Sequence, residues 1–171
     1  MKKSSEAHGD FRYLLTLESK STLQHKTVTV ILKNPSIADV NVDDNTLRSV
    51  RNRLVEKGYN KIHLVNLFAY RSTEPKDLND ALKKKGYEYV VGGLRANEII
   101  IESIQQSDLV LLAWGKPNGI QKMSYDNRIK EIQTLLKGYA TYCYGSPPQD
   151  SYPKHGLRWQ IEENIEPYFY N

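Results

Sequence analysis

A chain of 171 residues with 39% hydrophobic and 26% charged side chains can fill one core and is too short for two domains to be the expectation. The 24 Lys and Arg against 20 Asp and Glu leave a small basic excess, which suits a polyanionic partner without requiring one. A single cysteine excludes an intrachain disulfide framework and a cysteine-rich zinc site, and with neither a long apolar span nor a secretory h-region the expectation is a cytoplasmic protein with no membrane partner.

Residues 1–10 are polar and read as a flexible N-terminal tail, leaving residues 11–171 as a single α/β domain. Phe11–Glu18 (FRYLLTLE) is rich in strand formers and is expected to pair antiparallel, as an extra edge, with the nearby Thr27–Leu32 run. His25, in the link between them, has no neighbouring ligand or orienting group and reads as solvent-facing. Thr27–Leu32 (TVTVIL) is β-branched and apolar on both faces, the pattern of a strand in a helix-covered parallel sheet. It stops at Asn34-Pro35-Ser36. In such sheets the ligand crevice lies beyond the carboxyl ends of the strands, which puts Lys33, Asn34 and Ser36 at its edge. Pro35 biases Asn34 toward extended backbone and presents its amide from a stiff turn. The same three residues also serve as an ordinary strand stop.

Residues 46–57 place Leu47, Val50, Leu54 and Val55 on one helical face, with Asp43, Asp44 or Asn45 as N-cap and Gly58 as the stop. Asp39, Asp43 and Asp44 also offer a divalent-cation alternative, although a helix start rich in Asp needs no metal to explain it. Lys61–Asn66 is the next strand. It ends in a carboxamide that is costly to bury unless its donors and acceptor are used, and that can grip a nucleobase edge at two points. Tying down a loop backbone is the other use of Asn66. His63 alternates with apolar neighbours and is expected to be packed. Residues 74–93 read as connection, with Lys83–Lys85 a solvated run and residues 87–91 a short extended piece. Residues 95–106 read as a helix with Ile100, Ile101 and Ile104 inward. Residues 108–115 (DLVLLAWG) form the most apolar strand, ending at Trp114-Gly115, and residues 126–137 form another amphipathic helix. The last strand is expected over residues 139–144, with Cys143 as a buried small hydrophobe. The proline-stiffened loop that follows carries Lys154, His155 and Arg158, a set suited to negative charge. From Gln160 a short helix and an aromatic tail are expected to fold back.

If these strands run parallel, Asn34, Asn66, Trp114-Gly115 and His155 gather on one rim. Through LKNPSIAD, Asp43-Asp44 with Thr46, VNLFAYRSTEP, Asn97, AWG and residues 153–157 (PKHGL), the chain from Phe11 to about Trp159 is identified as a member of the DUF1643 family of uncharacterised bacterial and phage proteins. More remotely, the same blocks resemble the uracil-DNA glycosylase superfamily. There a first strand ends in Asp or Asn before Pro, a later strand in a base-reading Asn, another in Trp-Gly, and a histidine loop follows the last strand. The resemblance implies a three-layer α/β/α sandwich with a central four-stranded parallel sheet. It also implies a metal-independent, cofactor-free N-glycosidic hydrolase acting on a modified or deaminated base in DNA or a nucleotide. In that reading Asn34 holds the water, Asn66 reads the base, and His155 stabilises the departing anion. Phe68, Tyr70 and Trp114 are expected against the base, and Lys33, Ser36, Lys154 and Arg158 at phosphate. The chain departs from the pattern at three places: Asn34 is an amide where a carboxylate would serve as general base, His155-Gly156-Leu157 lacks the usual serine, and Ser36 replaces an aromatic guard. No apolar wedge stands out. A binding module that kept the pocket and lost the chemistry, and a magnesium-dependent phosphate-handling enzyme using Asp39, Asp43 and Asp44, are the alternatives.

Overall fold

The computed structural model describes residues 1–19, 26–37, 44–150 and 152–170, so His25, Asp39 and Asp43 lie outside the described residues. The elements run β1 (Lys2–His8), β2 (Phe11–Glu18), β3 (Thr27–Leu32), α1 (Asn45–Glu56), β4 (Lys61–Asn66), α2 (Pro75–Lys85), α3 (Tyr87–Val91) and α4 (Gly93–Gln105). They continue with β5 (Leu109–Leu112), α5 (Lys122–Leu135), β6 (Tyr142–Tyr144), a 3-10 turn at Gly156–Arg158, and β7 (Ile165–Pro167). The strands form one mixed seven-stranded sheet in the order β1-β2-β4-β3-β5-β6-β7. β3 pairs in parallel with β4 and β5, and β5 with β6, while β2, β1 and β7 are added antiparallel at the two sides. The chain leaves β3 for β4 on one side and returns to β5 on the other, so strand order reverses at β3. Crevices of open sheets form at such a reversal, beyond the carboxyl ends.

Strand alternation divides the core between the two faces of the sheet. Val28, Val30, Leu32, Ile62, Leu64 and Leu111 pack with Leu47, Val50 and Leu54 of α1. Ile31, Val65, Val110 and Leu112 face the other way, toward Ile99, Ile100 and Ile104 of α4 and Ile129 and Ile132 of α5. α1 begins where the Asp44 carboxylate accepts a hydrogen bond from the Leu47 amide at 2.7 Å. No helix among the described residues is long and apolar enough to cross a membrane.

Several expectations are corrected. Residues 1–10 are not a loose tail: β1 pairs with β2 through the tight turn Gly9-Asp10, where Gly9 takes φ +55°. Its sequence lacks an apolar face because it is an edge strand held by backbone pairing. β2 pairs with β4 and not with β3, since both edges of β3 are taken by β4 and β5. Residues 75–85 are helical, started by Pro75 and buried only at Leu78 and Ala81, which is why the apolar stripe was faint. Residues 87–91 form a short helix. The strand predicted over 139–144 shortens to Tyr142–Tyr144, and after Gln160 the chain adds β7 where a helix was expected.

Candidate functional site

Leu32 and Asn66 are register partners across β3 and β4. Asn66 therefore shares a face with Leu64, and Asn34 continues the parity of Val30 and Leu32 past the strand end. Both carboxamides open into a cleft of about 370 Å³ at the carboxyl edge of the sheet, floored by Leu15, Leu32, Leu47 and Leu64. Ser36 and His155 also line it. The structure thus brings together Asn34, Asn66, His155 and Ser36.

Each of the first three side chains is prepared differently. The Asn34 amide nitrogen donates to the Ser72 carbonyl at 2.8 Å, the Ser72 hydroxyl at 3.0 Å and the Pro35 carbonyl at 3.3 Å. This fixes which end of the carboxamide faces inward and leaves Oδ1 as the available acceptor. Asn66 is only 7% exposed, and its Oδ1 is buried with no hydrogen-bond partner. A buried polar atom left unmatched costs roughly 1–3 kcal/mol, so a water or a ligand that reached it would be held by the missing bond.

His155 accepts from the Leu157 amide through Nδ1 at 3.3 Å, which places the proton of the neutral ring on Nε2. Burial pulls its pKa down to about 4, with the Lys33 ammonium adding to the effect, so the ring is a neutral donor at neutral pH. The loop carrying it is pinned on several sides. The Gly115 amide donates to the Pro153 carbonyl at 2.9 Å, the Trp159 indole to the Lys154 carbonyl at 3.1 Å, and the Ser49 hydroxyl to the Gly156 carbonyl at 2.8 Å. Gly115, at φ +68°, makes room: a Cβ there would stand 2.8 Å from the His155 Cβ.

Six expected contacts are not in the cleft. Trp114 continues the parity of Val110 and Leu112 and is fully buried on the opposite face of the sheet. Phe68 is also fully buried there, its ring centroid 6.2 Å from that of Tyr125, because the chain leaves the strand line after Asn66. Tyr70 packs with Phe11 and Tyr89 at 6.3 and 6.2 Å. Lys33 has the odd parity of Ile31, so its ammonium goes to the Lys116 and Pro117 carbonyls and over the Tyr125 ring, and burial lowers its pKa to about 8. Lys154 is paired with Glu163. Arg158 is exposed on the 3-10 turn and does not line the cleft. Asp44 does reach the cleft, with one carboxylate oxygen engaged as the α1 cap. Among the described residues no three His, Cys, Asp or Glu side chains gather to hold a metal ion.

Arg12, Asn45, Thr46, Ser72 and Thr73 line the cleft and were not anticipated. Arg12 had a visible signal, a charged side chain near the start of an otherwise apolar strand. Ser72 had none, since its role is to orient Asn34 across the rim.

Residues 12–157 match the DUF1643 family, described as a protein of unknown function. No curated protein and no solved structure matches the chain.

Proposed function

The chain belongs to the DUF1643 family, whose function is unknown, and we propose from the cleft that it binds a nucleobase and hydrolyses the N-glycosidic bond joining that base to its sugar, in DNA or a nucleotide. The observation that carries this reading is the buried Asn66 side chain, whose Oδ1 has no hydrogen-bond partner, in the cleft that Asn34 and His155 also line. A carboxamide presents one donor and one acceptor side by side, the complement of a base edge. The neutral His155 ring offers Nε2–H to an oxygen that gains negative charge. Asn34 Oδ1 accepts from a water. In the reaction the carbon–nitrogen bond breaks with its electron pair on the base, the water oxygen bonds to the sugar carbon, and the water's proton ends on the released base. An amide cannot take that proton itself, so Asn34 positions and does not deprotonate.

The likeness to uracil-DNA glycosylases supports the same reading. β4-β3-β5-β6 are parallel neighbours, core residues pack on both faces of the sheet, and the rim residues named in that likeness include three that share the cleft. Leu157, 48% exposed on the 3-10 turn directly after His155, is an apolar side chain that we infer could fill the space left by an extruded base. A binding module without chemistry is the second reading. It is favoured by the absence of a general base at residue 34 and by aliphatic walls where stacking rings were expected.

The test is a panel of oligonucleotides carrying uracil, hypoxanthine or a modified pyrimidine, assayed for abasic sites. At least one should be cleaved to an abasic product, with a loss on the order of 10²–10³-fold in Asn66→Leu and no product in Asn34→Ala. Base-specific binding with no abasic product from any substrate selects the binding module. Neither binding nor product ends both readings.

A further inference from the structure

Asn34 and Asn66 are aimed by different means. Asn34 is turned by the bonds its amide makes to Ser72 and Pro35, whereas Asn66 Oδ1 has no hydrogen-bond partner to turn it, which leaves the backbone on either side to aim that side chain. Before Asn66 the backbone is held by its register across β3 and β4. After it the chain leaves the strand line, with the Leu67 amide donating to the Leu32 carbonyl at 2.9 Å and the Phe68 amide to the Lys33 carbonyl at 3.1 Å. The Leu67 carbonyl is met by a side chain: Arg128 of α5 donates to it through Nε at 2.6 Å. Resting on the base-reading role proposed above, we infer that Arg128 is a positioning residue for Asn66, acting through the Leu67 carbonyl.

Arg128 is fully buried, and its nitrogens reach three separate elements of the fold. Besides the Leu67 carbonyl, one terminal nitrogen donates to Asn97 Oδ1 on α4 at 2.7 Å and the other to the Glu131 carboxylate, nearly one turn along α5, at 2.9 Å. Glu131 in turn accepts from the Tyr87 hydroxyl at 3.0 Å. A planar guanidinium engaged at all three nitrogens has one orientation, so its Nε–H points in one direction. Burying this cation beside a single carboxylate that is itself 44% exposed gains little stability. What it adds is a fixed donor at the carbonyl that directly follows the base-reading residue. Asn97, singled out in the sequence and absent from the cleft, has its place here as the far support of the guanidinium. Helices α4 and α5 are thereby tied to the carboxyl end of β4 from the face opposite the cleft, where Leu67 and Phe68 pack.

The experiment measures binding of wild type, Arg128→Met, Asn97→Ala and Ile132→Ala to the oligonucleotide panel, each protein well below its own melting temperature. The quantity read is selectivity, the affinity for the preferred base over the same oligonucleotide with an unmodified base. Selectivity should fall at least ~10-fold in Arg128→Met, the scale of one misaligned base contact, and by a smaller factor in Asn97→Ala, with binding to the unmodified oligonucleotide unchanged. Ile132→Ala, a cavity in the same helix that breaks none of these bonds, should lower Tm and keep wild-type selectivity. The side-chain amide resonances of Asn66, identified by their loss in Asn66→Leu, should move in Arg128→Met and Asn97→Ala and stay in place in Ile132→Ala. Should Arg128→Met fail to fold by its melting curve, Asn97→Ala carries both readouts. Wild-type selectivity in folded Arg128→Met, or in Asn97→Ala where that variant stands in for it, overturns the positioning role and leaves base reading intact, as does a loss that Ile132→Ala shares. No base-selective binding by wild type overturns both.

Discussion

At Asn34 the neighbours decide between amide and carboxylate. Its NH₂ is surrounded by the Ser72 and Pro35 carbonyls, which can only accept, and by one hydroxyl. A carboxylate in the same place would face two carbonyl oxygens and lose the bonds that hold the side chain. Asn34→Asp is therefore expected to create no general base. It should destabilise the fold by about 1–3 kcal/mol near neutral pH, the cost of an unmatched polar group in a part-buried site. The introduced acid is better tolerated protonated, so its folded pKa rises above the unfolded value. The folded state then holds the extra proton, and stability is lost as pH climbs through that window. Denaturant melts at pH 4 and pH 7 should show the deficit against wild type growing toward neutrality. A variant as stable as wild type at pH 7, or more active in releasing base, would show that Ser72 does not set the orientation of Asn34.

At the scale of elements, the site depends on how closely the 3-10 turn meets α1. Gly156 is buried against that helix, and a Cβ built on it would stand 2.4 Å from Val50 Cγ2. Gly156→Ala must push the turn outward and strain the Ser49 bond to the Gly156 carbonyl. Overpacking of this kind costs about 2 kcal/mol, a fall in Tm of roughly 4–8 °C at this chain length. Because His155 is the preceding residue, nucleoside binding should weaken along with stability. An unchanged Tm and unchanged binding would mean that the loop moves freely of α1. The same close approach explains why Gly stands beside the histidine in this chain. Much of this arrangement was legible in the sequence. The strand ends carrying Asn34 and Asn66 and the loop carrying His155 were read from β-branched runs and turn residues. Asn34 and Asn66 share one side of the sheet because each follows the parity of Leu32 and Leu64. The aromatic partners were misplaced for the same physical reason applied one residue over. Trp114 and Lys33 carry the opposite parity, and Phe68 lies past the point where β4 stops hydrogen-bonding in register. Arg12 and Ser72 belong to contacts between segments distant in the chain, which periodicity does not report.

For the whole molecule, the buried His63 and the half-buried His155 set the first response to acid. Both His155 and His63 are held below the ordinary histidine range, His155 at about 4, with burial the leading cause in each. Between about pH 6.5 and 4 the unfolded chain takes up protons that the folded chain resists. Stability is thus complete above about pH 6.5 and is lost as pH falls, with about 3 kcal/mol from His155 alone when the separation is converted at 1.36 kcal/mol per unit. Carboxylates whose pKa is lowered by their partners, such as Glu163 with Lys154 and Asp126 with Lys122, add a further loss only at lower pH. Lys33 acts on the same window from behind the sheet, since its charge helps keep His155 neutral. His155→Gln should therefore flatten the stability profile between pH 6.5 and 4 while leaving the steeper fall below it. Lys33→Met should raise the His155 pKa, read directly from its imidazole proton resonances, and so reduce the stability lost between pH 6.5 and 4, with the onset near 6.5 unchanged. Urea unfolding at closely spaced pH values on the three proteins measures all of these. If His155→Gln keeps the wild-type slope, the ring is hydrated in the folded protein, and its neutral Nε2–H donor, on which stabilisation of a departing base depends, is not held by the fold.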